Sequence, residues 1–140
     1  MLQEQLAIFV ENRTGKLHEI TKIIASCSVN LRALCIAETT NYGILRIIVD
    51  KPSEVLIKLK AAGLTVQKNN MLVIKMDDCP GSLAAIAEVL AQHNIAVEYL
   101  YAFLASEQIP AAYVALRVSA SQEQEAVAAL LEKGYTGYEI

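Results

Sequence analysis

Two short stretches concentrate residue types suited to holding a small charged ligand. Glu11-Asn12-Arg13-Thr14-Gly15-Lys16-Leu17 places an amide and a glycine just before Leu17, Ile20, Ile23 and Ile24, which recur at helical spacing. Asp77-Asp78-Cys79-Pro80-Gly81-Ser82-Leu83 does the same before Leu83, Ile86, Ala87 and Leu90. The start of a helix leaves backbone N–H groups unpaired and carries partial positive charge, so it attracts an anion such as the α-carboxylate of an amino acid. Glycine at 15 and 81 lets the backbone approach a ligand closely. The Asn12 amide offers an acceptor and donors, which suits a zwitterion, whereas the Asp78 carboxylate favours an ammonium group. An Asn or Asp before a helix is also a common N-cap, and at the level of sequence both readings stand.

Other chemistry finds little support. His18 and His93 are the two histidines, and neither falls in a Ser/His/Asp or Cys/His grouping, so no catalytic residues can be named. Cys27, Cys35 and Cys79 cannot all pair within one chain and show no CxxC spacing, which argues against a disulfide framework and a metal site. The glycines lack the lysine of a phosphate loop and the GxGxxG pattern, so no nucleotide cofactor is expected. A net charge of −3 without a basic cluster excludes nucleic acid as an expected partner, despite the alternation of Tyr99, Tyr101 and Phe103. No apolar run approaches the ~20 residues of a membrane span, and MLQEQLAIFVENRTG has no basic region before its apolar stretch. A soluble protein of the reducing cytoplasm, with no membrane partner, is the expectation.

The elements that must position the two stretches come in duplicate. At an offset of 66, which carries Gly15 onto Gly81, Ile20 falls on Ile86, Ile24 on Leu90, Val29 on Ile95 and Leu34 on Leu100. The first copy predicts a strand at Leu6–Val10, a helix, a strand from Val29 to about Glu38, a turn at Asn41-Tyr42-Gly43 and a strand at Ile44–Val49. Pro52 then opens a helix that Gly63 stops, and Leu64–Gln67 closes the unit. The second predicts strands at Leu72–Met76, Ile95–Leu104 and Ala112–Val118, a helix at about Gln122–Lys133 stopped by Gly134, and a final strand at Tyr135–Ile140. Lys68–Asn70 reads as a linker between modules at 1–69 and 70–140. Each βαββαβ unit implies an α+β, ferredoxin-like fold: an antiparallel four-stranded sheet with two helices on one face. The strands are apolar on both sides, so the second sheet face is expected to be covered by the other module, by another chain or by both, and self-association as a homo-oligomer follows.

The two stretches resemble the signature of the ACT family, an acidic or amide residue followed by x-Pro-Gly-x-Leu between the first strand and helix. Thr14 replaces the proline in the first copy. The resemblance covers essentially the whole chain, including Ser28-Val29-Asn30-Leu31 and Asn94-Ile95-Ala96-Val97 where the second strands begin. It implies two consecutive ACT modules joined side by side, a regulatory protein rather than an enzyme, and a free amino acid as ligand. It further implies a ligand site at Asn12, Arg13, Thr14, Gly15, Lys16 and Leu17, and at Asp78, Cys79, Pro80, Gly81, Ser82 and Leu83. Family ligands sit where two modules meet, between one module's first loop and the other's second strand, which adds Ser28, Asn30, Asn94, Ala96 and Tyr99. The run Asn94–Leu100 resembles the serine-sensing ACT module of phosphoglycerate dehydrogenase, where an asparagine at the place of Asn94 contacts the ligand. The offset of 66 puts Ser28 there in the first copy, with Asn30 two residues on. Read instead as turn residues, Asn30 and Asn94 need no ligand. The resemblance implies a dimer acting in trans, on a partner enzyme, with a ligand-free structural or regulatory subunit of such an enzyme as the alternative.

Overall fold

The computed structural model describes residues 1–38, 41–105 and 111–138. In chain order the elements are β1 (Leu2–Glu11), α1 (Lys16–Ala25), β2 (Leu31–Glu38), β3 (Tyr42–Val49), α2 (Pro52–Ala61) and β4 (Val66–Met76). There follow α3 (Ser82–Gln92), β5 (Tyr99–Ala105), β6 (Ala111–Arg117), a 3-10 turn (Ala120–Gln122) and α4 (Glu123–Glu132). They divide into two compact units, one of Glu4–Asn69 and one of Asn70–Ile140 together with Met1–Gln3.

In the unit Glu4–Asn69 the strand order is β2-β3-β1-β4, with β3 antiparallel to both β1 and β2 and a bulge between Leu31 and Ala33. Alternate residues of β1 and β3 (Leu6, Ile8 and Val10; Leu45, Ile47 and Val49) face the helices and pack on Ile20, Ile24, Val55 and Leu59. Each of these buried aliphatic side chains contributes on the order of 1.5–3 kcal/mol. The other unit repeats the plan, with β6 antiparallel to β4 and β5, and Leu72, Ile74, Val114 and Leu116 meeting Ile86, Leu90, Ala126 and Leu130.

The expected linker Lys68–Asn70 lies inside β4 instead. Its polar side chains find partners across neighbouring elements: Lys68 Nζ meets Glu4 Oε1 at 2.7 Å, Asn69 Oδ1 accepts from Gln5 Nε2 at 2.9 Å, and Asn70 Nδ2 donates to Glu123 Oε2 at 3.0 Å. Arg117 Nη1 completes that last cluster, 2.7 Å from both Glu123 Oε1 and the Asn70 carbonyl. Of the expected final strand, the described residues show one bridge, Gly137 opposite Ile74, flanked by Lys75 N–H to Thr136 O at 2.9 Å and Tyr138 N–H to Val73 O at 3.2 Å; residues 139–140 lie outside the described residues. Beside it, Val73 N–H donates to Met1 O at 2.8 Å and Gln3 Nε2 to Tyr138 O at 2.7 Å, which seats Met1–Gln3 in this unit. β5 begins at Tyr99, later than the expected Ile95.

On the sheet faces away from the helices, Gln5, Ala7, Ala33 and Ile48 in one unit and Met71, Val73, Tyr101, Tyr113 and Ala115 in the other are buried, while Phe9 is 40% exposed. Phe103 stacks on Tyr113 at a centroid distance of 5.5 Å, with Tyr138 edge-on to both, so those aromatics pack inside their own unit. Exposed aliphatics lie along the helix-side edges, Leu17, Leu31, Leu34 and Ile36 in one unit and Leu83, Leu100 and Leu104 in the other, and singly on α2 and α4 at Ile57 and Leu131. Among the described residues, no helix is long and apolar enough to cross a membrane.

Candidate ligand site

Each first helix starts from a left-handed glycine. Gly15 (φ 85°) and Gly81 (φ 93°) occupy the N-cap positions of α1 and α3, and neither helix start receives a side-chain cap. A side chain rarely adopts that backbone, which is the physical reason for glycine at both places. Asn12 and Asp78 stand three residues before those caps, so the N-cap reading of the two residues does not hold. The Lys16 and Ser82 N–H groups fold back on Arg13 O and Cys79 O, each at 3.3 Å. Among the described residues, the N–H groups of Leu17 and His18 find no carbonyl partner, as expected of a helix start.

The loop Glu11–Gly15 carries both signs of charge. Arg13 reaches Glu11 at 3.1 Å and Glu19 at 3.5 Å, and Lys16 reaches the same Glu19 oxygen at 3.3 Å. These exposed pairs are worth little in stability, but they hold the two cations over the first turn of α1. Asn12 is exposed, and its backbone N–H is tied to Asn41 O at 3.2 Å. A hollow of about 110 Å³ opens here, lined by Val10, Glu11, Asn12, Arg13, Leu17, Ile36, Glu38 and Gly43. A Cβ at Gly43 would come within 3.2 Å of Ala37 O, so glycine keeps β2 and β3 close behind the hollow.

The structure thus brings Asn12, Arg13 and Leu17 together and adds Ile36, Glu38 and Gly43, which the sequence motif does not signal because they come from β2 and β3. Thr14 and Gly15 are exposed in the loop and Lys16 begins α1, outside the lining. In the other unit a hollow of about 400 Å³ is lined by Lys75, Met76, Asp77, Lys133, Gly134, Tyr135 and Thr136 and takes in none of Asp78, Cys79, Pro80, Gly81, Ser82 or Leu83. Cys79 Sγ instead lies 3.1 Å from Ser82 Oγ.

The residues expected at the second strands have backbone roles. Ser28 and Asn94 are the two non-glycine residues with positive φ among those described, at 54° and 55°. Asn94 N–H bonds to Ala91 O and Ile95 N–H to Leu90 O, a helix stop with Asn94 in the left-handed place and the apolar pair Leu90–Ile95 beneath it. Asn30 donates its N–H to Asp50 Oδ2 at 3.4 Å, Ala96 is exposed, and Tyr99 opens β5 half-buried.

A family model described as an ACT domain pair matches residues 1–134. Among solved structures, protein BT0572 from Bacteroides thetaiotaomicron is 35% identical with a TM-score of 0.87, over 96% of this chain and 90% of that one. The ligand-free regulatory subunit of aspartate kinase from Thermus thermophilus shares the fold at 13% identity and a TM-score of 0.60, over 92% and 91% of the two chains. The aspartokinase alpha and beta subunits do so at 15% identity and a TM-score of 0.57, over 94% and 95%. Comparison with curated protein sequences yields no match. The duplicated βαββαβ plan, the glycine-started helices and the match across nearly all of the sequence lead to one conclusion: this chain belongs to the family of ACT domain pairs, a regulatory type of fold.

Proposed function

We propose that this protein binds a free amino acid at the loops between first strand and first helix, and regulates a separate partner without catalysis of its own. The observation that carries the reading is the loop of the Glu4–Asn69 unit. Asn12, which does not cap the helix, borders a hollow beside the unpaired N–H groups of α1. Those N–H groups suit an α-carboxylate, and the amide of Asn12 with the carboxylates of Glu11 and Glu38 suits an α-ammonium. The loop Asp78–Leu83 offers the same backbone with a carboxylate at 78, and Ser28, Asn30, Asn94, Ala96 and Tyr99 are the further candidates for contact. Aspartate kinase regulatory subunits share the fold, which supports an output exerted on another polypeptide.

A second reading, a structural or regulatory subunit that binds no ligand, is favoured by one number. A hollow of about 110 Å³ is small beside the ~300 Å³ at which ligand pockets begin. A thermal-shift screen against the twenty amino acids separates the two readings. A ligand at a hundred times its dissociation constant adds about 2.7 kcal/mol to native stability. No shift at millimolar concentration for any amino acid would leave the ligand-free reading standing alone.

A further inference from the structure

We propose that the unit Asn70–Ile140 carries a second ligand site in the hollow between the end of β4 and the turn after α4, and that this site takes a small molecule with two carboxylates and one ammonium group, the chemistry of an acidic amino acid. The hollow measures about 400 Å³, above the ~300 Å³ at which ligand pockets begin, and it is distinct from the loop Asp78–Leu83. Met76 and Tyr135, both packed against the core, supply its apolar part. Its charged groups are two cations and one anion, Lys75, Lys133 and Asp77, and Thr136 adds a hydroxyl. Lys75 and Lys133 are the two lysines of a unit otherwise rich in aspartate and glutamate, and both border this one hollow.

The other repeat shows that the fold does not require these lysines. Gly63-Leu64-Thr65 after α2 returns as Gly134-Tyr135-Thr136 after α4, and the backbone of the two turns is held alike. Phe9 N–H donates to Thr65 O at 3.0 Å where Lys75 N–H donates to Thr136 O at 2.9 Å, and Leu64 N–H reaches Leu59 O at 3.1 Å where Tyr135 N–H reaches Leu130 O at 3.0 Å. The C-caps correspond as well, Ala62 of α2 to Lys133 of α4. At this place the Glu4–Asn69 unit has a hollow of about 190 Å³, whose charged groups are one anion and one cation, Glu11 and Lys16. Acid and threonine therefore stand in both units, whereas Lys75 and Lys133 take the places of Phe9 and Ala62, with which the same turn is built. A cation at a helix C-terminus suits the dipole, which accounts for Lys133 but not for Lys75, a strand residue. Two ammonium groups and a carboxylate around one hollow complement two anionic groups and a cationic one. Each lysine has three donors, so it can hold a ligand carboxylate by charge-assisted bonds beside any other partner.

The test titrates the whole chain with L-aspartate and L-glutamate by calorimetry at low ionic strength. One of the two should bind with a dissociation constant of about 1 mM or tighter. Its amide, with one carboxylate fewer, and the matching dicarboxylate, succinate or glutarate, which lacks the ammonium, should each bind about tenfold more weakly or worse. Lys75→Gln and Lys133→Gln should each lower the affinity about tenfold, Asp77→Asn should erase the preference over the dicarboxylate, and Lys60→Gln, the same loss of charge on α2, should change nothing. All four positions are exposed, and circular dichroism checks that each variant folds. Added sodium chloride should weaken binding, because it screens exposed charges. No binding of either amino acid at millimolar concentration, succinate or glutarate binding as tightly as its amino acid, or an affinity that survives both lysine variants would each overturn the proposal. The loop hollow shares no lining residue with this one, so the reading proposed above stands or falls separately, on variants at Asn12.

Discussion

Asn12→Ala removes an exposed amide from a loop whose backbone is held by other atoms, and this separates two roles that one residue before a helix commonly combines. The N-cap position of α1 belongs to Gly15, with no side-chain cap, and the backbone N–H of Asn12, which alanine keeps, carries the bond to Asn41 O. The substitution therefore deletes no cap, and stability should stay within ~0.5 kcal/mol, the range of ordinary surface changes. Binding is a different matter. A hydrogen bond to a charged ligand group is worth about 1.5–3 kcal/mol, so affinity should fall roughly tenfold to 150-fold. The assay is calorimetric titration with the amino acid that raises the melting temperature most, alongside urea unfolding of the same samples. A stability loss near 1 kcal/mol would show that Asn12 caps after all and would refute the geometric argument. Unchanged affinity in a stable variant would move the site away from this loop.

Ser28→Gly should raise stability by about 0.5–1 kcal/mol, since a serine at φ 54° bears left-handed strain of ~1–2 kcal/mol, partly offset by glycine's greater freedom when unfolded. Asn94→Gly should change little, because asparagine tolerates that conformation; an equal gain at both sites by thermal melts would contradict the argument. Glu123→Ala should cost about 1–3 kcal/mol in urea unfolding, as it removes the carboxylate nearest Arg117, whose side chain is 15% exposed and keeps only the Asn70 carbonyl and the more distant Glu98; no measurable loss would show that those two partners suffice. Asp50 is held below its ordinary carboxyl pKa of 3.8, first by the hydrogen bond from Arg32, against some desolvation, with further help from the Asn30 N–H and the charges of Arg32 and Lys51. A lowered folded-state pKa gives stability that is present above the unfolded value and lost as pH falls through the folded one. Asp50→Asn should accordingly flatten the stability profile below about pH 4, and an unchanged acid slope would sink the assignment.

The elements with strong periodicity were legible in the sequence. Leu17, Ile20 and Ile24 made one stripe of α1, and Gly63 and Gly134 stop their helices in the left-handed conformation that glycine suggests. The duplication was legible because aligned apolar residues survive in both cores. Composition misled at Lys68–Asn70, where three polar residues look like a break in the chain. They continue a strand because each side chain has a partner in Glu4, Gln5 or Glu123, and partners distant in sequence leave no local trace. The candidate site was legible at Asn12, Arg13 and Leu17, which share a motif, but not at Ile36, Glu38 and Gly43, which reach it only through strand pairing. Both readings of Asn12, cap and ligand contact, stood at the level of sequence because residue type cannot reveal that Gly15 takes φ 85° and starts the helix three residues later.

The seating of Met1–Gln3 against Val73 and Tyr138 has a kinetic consequence. The Gln3–Tyr138 bond closes a span of 135 residues, so the unit containing Asn70–Ile140 cannot finish until residues through 138 have been synthesised, and the Gln3 side chain must wait meanwhile for that partner. The ordering entropy of so long a loop grows only logarithmically with its length, yet it has to be overcome before the contacts it enables can stabilise anything. The unit Glu4–Asn69 carries no such debt to the far end of the chain, and on the ribosome it is the half positioned to fold first.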